Sequence, residues 1–239
     1  MPLPVVSTPT YSLTIPSLKK EIKYRPFLVK EEKILIMAME SEDPKEITES
    51  LKSVIKNCIL TKGIKVEELS VFDIEYMFLN IRGKSVGEDV EILLTCPDDG
   101  VTQVPVTINL DEIKVNIKPN HSRDIKIDEN LTLRMKYPSL EEFVKNNFIS
   151  QSGMSVEDTF NMIISCMEQI YSEEESWAAS DSTKKELNDF LEQLNSKQFK
   201  EIENFFETMP KLSHAVKVKN PNTGVESEIV LEGLTSFFG

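Results

Sequence analysis

Residues 93–113 read LLTCPDDGVTQVPVTINLDEI, and the fold turns on what holds this stretch in shape. A cysteine at a strand end, a Pro-Asp-Asp-Gly turn and a second alternating strand make either half of a zinc ribbon or a plain β-hairpin. A structural zinc needs four ligands, usually as two close pairs of Cys or His. Cys96 opens a Cys-x-x-Cys spacing, but Asp99 occupies its second position. The other soft ligands are Cys58 and Cys166, on apolar helical faces, and the isolated His121 and His214. A calcium loop spreads oxygen ligands over about a dozen residues, which Asp98 and Asp99 in a tetrapeptide turn do not. Asp-Gly supplies turn geometry instead. The stretch is therefore predicted to be a hairpin held by backbone pairing and aliphatic packing, with no metal.

Upstream, Tyr11–Ile15 and Glu21–Phe27 alternate as strands around a Pro16-Ser-Leu-Lys-Lys turn, after a proline-bearing extended arm over residues 1–10. A helix is expected from about Lys30 to Glu40. Asp43 as N-cap, Pro44 at the first helical position and Glu46 at the third mark the next helix start. Ile47, Leu51, Val54, Ile55 and Cys58 then form one apolar face, with Gly63 beyond the helix end. Val71–Ile81 is apolar nearly all round, which predicts a central helix. After Gly83–Gly87 the period drops to two.

Downstream, residues 124–136 alternate again. Ser139-Leu-Glu-Glu142 and Thr183-Lys-Lys-Glu186 are capping boxes. Helical stripes are read at Phe160/Ile163/Ile164/Met167/Tyr171, Leu187/Phe190/Leu191/Leu194 and Phe199/Ile202/Phe206/Met209, with residues 172–182 as an acidic loop between the first two. A last alternating pair, Ala215–Val218 and Ser227–Leu231, flanks Asn220-Pro-Asn-Thr-Gly224. This turn echoes the one at Cys96: each places Pro, Asp or Asn and then Gly-Val before a strand.

Composition narrows the function classes. With 239 residues, 40% hydrophobic and 28% charged, the chain has the makeup of a globular protein. Its net charge of −13 repels phosphate backbones, and the basic cluster Lys19-Lys20, Lys23 and Arg25 is small. No run approaches the roughly 20 apolar residues of a membrane span; the longest strongly apolar run is Ile34–Met39. The N-terminus lacks a signal-peptide layout, and three spaced cysteines make no disulfide framework. A reducing cytosol is expected. There is no nucleophile elbow, P-loop or dinucleotide fingerprint, and two histidines leave little acid–base chemistry. No catalytic residue, cofactor or metal ligand is assigned, and nucleic acid and membrane are not expected as partners.

PLPVVSTPTYSLTIPSLKKEIKYRPFLVKEEKILIMAMES (2–41), VFDIEYMFLNIRGKSVG (71–87), INLDEI (108–113) and MPKLSHAVKVKNPNTGVESEIVLEGLTSFFG (209–239) resemble a family of T4-like contractile-tailed phages, the baseplate hub subunits or hub assembly factors. The resemblance spans nearly the whole chain and is close to cyanophage versions; KYRPFLVKEEK and IEYMFLNIRGKSVG are its most specific segments. It implies a non-enzymatic role in building the tail baseplate in the host cytoplasm, or a place in the virion baseplate, with other baseplate and hub proteins as partners. It also implies Cys pairs at both hairpin turns in some relatives. This chain keeps only Cys96 at the first turn and has Asn220 and Thr223 at the second, so metal binding does not carry over.

The expected fold is α+β. Residues 1–10 form an arm, 11–138 hairpins packed with helices, and 139–239 a helical region closed by a hairpin that returns to the first region. The expected function is protein–protein recognition during hub assembly, acting transiently or as a permanent subunit. An acidic nucleic-acid mimic that inhibits a basic protein is the other class left open, and self-association is compatible with all of them. Tyr11, Tyr24, Arg25, Phe27, Phe237 and Phe238 are the candidate partner-binding residues, since aromatics and arginine anchor interfaces.

Overall fold

The computed structural model describes residues 6–41, 43–142, 155–233 and 236. The fold is α+β, with small antiparallel sheets packed against helices. Two compact units are present: Met1–Asn116 with Lys211–Gly239, and Ile117–Pro210. These divisions differ from a boundary at 138/139 because strands pair across that point in both units. Among the described residues, no helix is long and apolar enough to cross a membrane.

In the first unit, β1 (Tyr11–Ile15) and β2 (Lys20–Tyr24) form a hairpin with Tyr11 opposite Tyr24. Helix α1 (Val29–Ser41) follows, then α2 (Pro44–Cys58), whose Asp43 cap accepts the Lys45 N–H at 2.9 Å. The predicted α2 face is buried at Leu51, Val54, Ile55 and Cys58. Helix α3 (Val71–Val86) is central, with both Met77 and Ile81 fully buried. It runs past the expected end at Ile81, because Gly83 is a packing position: Leu110 lies against the place its side chain would fill. The helix stops at Gly87, where φ is 136°.

Strands β3 (Asp89–Thr95) and β4 (Gln103–Asn109) form the expected hairpin, in register from Asp89↔Asn109 to Thr95↔Gln103. A 3-10 turn leads to β5 (Lys114–Asn116). The C-terminal strands β10 (Lys211–Lys219) and β11 (Glu226–Glu232) form a second hairpin, and β10 pairs with β5, giving the order β11-β10-β5. Leu79, Ile92, Ile108, Leu110, Leu212 and Val216 share one core. The last hairpin is thus part of the N-terminal unit.

The second unit has a four-stranded antiparallel sheet ordered β6 (Asp124–Lys126), β7 (Thr132–Met135), β8 (Met167–Tyr171), β9 (Ser176–Ala178). Helices α4 (Val156–Cys166), α5 (Lys184–Glu192) and α6 (Ser196–Thr208) supply the rest of its core. Both capping boxes form, at Ser139–Glu142 and Thr183–Glu186. Two sequence expectations are corrected. The stripe through Met167 and Tyr171 is not one helix: α4 ends at Cys166 and Met167 opens a strand opposite Met135. Apolar spacing alone does not separate the two states, and the waiting partner β7 decides. The acidic segment 172–182 is likewise not all loop, since the turn closed by Ser172 N–H to Glu175 C=O at 2.8 Å leads into β9.

Candidate interaction surfaces

The turn at Cys96 is built by hydrogen bonds. Cys96 N–H donates to Thr102 C=O at 2.8 Å and Gly100 N–H to Cys96 C=O at 3.0 Å, with φ of 67° at Gly100. The Asn220 turn is similar but closes one residue sooner: Asn220 N–H to Val225 C=O at 2.9 Å, Gly224 N–H to Asn220 C=O at 2.8 Å, and φ of 76° at Gly224. The two turns, 122 residues apart in sequence, face each other. Asn220 Nδ2 stands 3.1 Å from both Asp98 carboxylate oxygens and 2.9 Å from Asp99 Oδ2. Thr223 donates to Asp98, and Asn222 Nδ2 donates to Thr102 Oγ1 at 3.0 Å. The sequence echo is therefore a structural pair of matching turns joined by a polar clasp.

The electrostatics follow from these bonds. Hydrogen bonds from Thr223 and Asn220 hold Asp98 below the usual carboxylate range. Those from Thr102, the Val101 and Thr102 amides and Asn220 do the same to Asp99. Cys96 lies beside them, buried, its thiol pushed up by desolvation and by both carboxylates. Burial pushes Cys58 up to about 11 and Cys166 up to about 12, so neither supplies a thiolate near neutrality. Among the described residues, no three Cys, His, Asp or Glu side chains converge as a metal site.

The candidate partner residues at the β1–β2 end fall into different roles. Tyr24 is 1% exposed, and its ring packs on that of the half-buried Tyr11 at 5.8 Å. Burial raises the Tyr24 phenol to about 12. Lys84, paired with Glu88 and with Asp111 at 2.8 Å, sits 5.7 Å above the Tyr11 ring. The Arg25 guanidinium donates to buried Glu31 at 2.9 Å and to Pro26 C=O at 2.8 Å. Glu31 also accepts the Leu28 N–H at 2.8 Å. Burial alone would raise the Glu31 carboxyl, but Arg25 and that amide more than offset it and hold it low. Phe27 is half-buried, and its N–H donates to Ser85 Oγ at 2.9 Å. The segment 24–31 thus fixes where α1 begins. Phe237 and Phe238 lie outside the described residues.

What this anchor positions is α1 itself. Its buried residues are Glu31 and Ala38. Val29 is 79% exposed, Ile36 51%, Met37 58% and Met39 69%, with Leu28 and Ile34 also open. They alternate around the helix with the exposed Lys30, Glu32, Lys33 and Glu40. A groove of about 360 Å³ between α1 and α2 is lined by Ile34, Met37, Ala38, Glu46, Glu49 and Ser50. The signal was visible in sequence as the apolar run Ile34–Met39. Among the described residues, α1 packs mainly along α2.

The chain was compared with known proteins. It is 27% identical over 225 residues to the baseplate hub assembly protein gp26 of Enterobacteria phage T4, covering 92% of this chain and 93% of that protein. No solved structure matches it. The family described as T4 bacteriophage base plate protein matches residues 8–239, from the first strand through both clasped turns to the last residue, and the chain belongs to that family.

Proposed function

We propose that this protein acts in assembly of the phage baseplate hub, through contacts with other baseplate and hub proteins and without catalysis, in the cytoplasm of the infected host. The name of its T4 relative and the family match support the setting. The exposed apolar helix α1 carries the reading, because it is a surface for touching and not for reacting. The occupant of α1 would be a hub protein with a matching apolar surface.

The test is affinity purification from infected cells of the wild type and of an Ile36→Asp/Met39→Asp variant, with mass spectrometry of what accompanies each. Both side chains are exposed, so the fold should survive. Loss of baseplate proteins from the variant is the expected result. Undiminished recovery would overturn the role of α1, and recovery of no baseplate protein by the wild type would overturn the reading as a whole. Probing washed virions for the protein then separates a transient factor from a permanent subunit.

A further inference from the structure

Among the described residues, strand β11 is an edge of its sheet, paired only with β10. In an antiparallel pair, residues alternate between those that bond to the neighbouring strand and those whose N–H and C=O point away. The phase is set at both ends of this hairpin: Asn220 N–H bonds Val225 C=O at 2.9 Å, and Gly233 N–H bonds Leu212 C=O at 2.9 Å. Ser227, Ile229 and Leu231 therefore face β10, and Glu226, Glu228, Val230 and Glu232 turn their backbone groups outward. The outward Glu232 C=O accepts Ser236 Oγ at 2.6 Å. The backbone groups of Glu226, Glu228 and Val230 have no partner along this edge among the described residues.

The side chains over this edge are of one sign. Glu226, Glu228, Val230 and Glu232 share the solvent face, and all are exposed. Glu226 and Glu232 reach Lys219 at 3.7 Å and Lys211 at 3.4 Å on β10. Glu228 stands opposite Lys217 and forms no ion pair among the described residues. Charges on an edge discourage pairing between copies, and a second copy laid antiparallel here would set Glu226 beside Glu232. The same row attracts a strand of opposite charge, since opposite charges on adjacent strands stabilise and like charges destabilise.

We infer that β11 is a docking edge for an extended basic segment of a partner protein. The segment would add as a fourth strand, bonding to Glu226, Glu228 and Val230 and placing lysine or arginine at alternate positions over the glutamates. This surface is separate from α1, so its test is independent of the one above.

The probe is a short capped peptide alternating lysine and threonine around one valine, with a glutamate-for-lysine counterpart, titrated by fluorescence anisotropy. The basic peptide should bind at least about tenfold more tightly than the acidic one, and more weakly as salt rises. Val230→Pro removes an outward N–H without touching the β10 ladder, a place where edge strands tolerate proline; it should weaken binding about tenfold or more. Hydrogen exchange of the wild-type protein supplies a readout that needs no variant: the Glu228 and Val230 amides should gain protection when peptide is added. Equal binding of the two peptides, full binding to a folded Val230→Pro protein, or unchanged exchange at those amides would each overturn the inference.

Discussion

Replacing Asn220 by alanine tests the clasp between the two turns. Its amide group can satisfy two of the three carboxylate oxygens within 3.1 Å, and its Oδ1 accepts the Asn222 N–H at 2.9 Å and the Thr223 N–H at 3.4 Å. Each lost bond is worth about 0.5–1.5 kcal/mol net, at the low end where water can rehydrate the partner. Thr223 still holds Asp98, so the expected loss is about 2–3 kcal/mol. For a chain of this size that lowers the melting temperature by roughly 4–12 °C. Circular dichroism through heat and urea measures it, read on the transition that carries the N-terminal unit, since two units need not melt together. Asn220→Asp is the sharper variant. It keeps the shape but points a third carboxylate at Asp98 and Asp99, both of which stay ionised well below neutrality. It should therefore be less stable than the alanine variant at pH 7. It should recover towards wild type near pH 5, as the new carboxyl, pushed up by its like-charged neighbours, takes a proton and becomes a donor again. An alanine variant within about 0.5 kcal/mol of wild type, or an aspartate variant whose deficit does not change between these pH values, would refute the account of the turns.

Gly83→Ala should be neutral or stabilising by up to about 1 kcal/mol, because the added carbon meets Leu110 at an ordinary 3.7 Å and alanine is the better helix former; Gly83→Leu should destabilise, and urea unfolding separates the two. His121, bonded to Thr208 Oγ1 at 3.0 Å and Tyr137 Oη at 3.1 Å, has its imidazole pushed below 6.5 by burial and by Arg123. A depressed histidine protonates more readily when unfolded, so the second unit should lose stability as pH falls below about 6.5. His121→Gln should flatten that dependence in melts between about pH 7 and 5. Cys58 and Cys166 should resist a thiol reagent at pH 7.5 until denaturant is added, because burial keeps them protonated and enclosed; rapid native labelling, followed by absorbance, would contradict their placement.

Much of the fold was legible because it is written locally. Asp43-Pro44 and the Thr183–Glu186 box start helices by satisfying their own first amides, whatever surrounds them. The 93–113 hairpin was readable from its turn chemistry and period, with Asp99 standing where a zinc pair would place a second cysteine. The rest depended on neighbours that local pattern does not contain. Met167–Tyr171 is spaced for a helix and becomes a strand because β7 is there to pair with it. Tyr24 and Arg25 look like interface anchors, yet one is packed under Tyr11 and the other is held by Glu31. The apolar run Ile34–Met39 would read the same in a core or on a surface, and only the folded chain shows most of it exposed in α1.

By itself, then, the sequence determined the elements whose hydrogen bonds close within a few residues, together with the acidic, glycine-poor composition that argued against most catalysis. The tertiary structure alone decided which elements meet: turns 122 residues apart clasped by Asn220, a C-terminal hairpin set on β5, and an apolar helix left open. The physical reason is the range of the interactions. Caps and turns act between near neighbours in the chain, whereas burial and sheet pairing act between surfaces that only folding brings together.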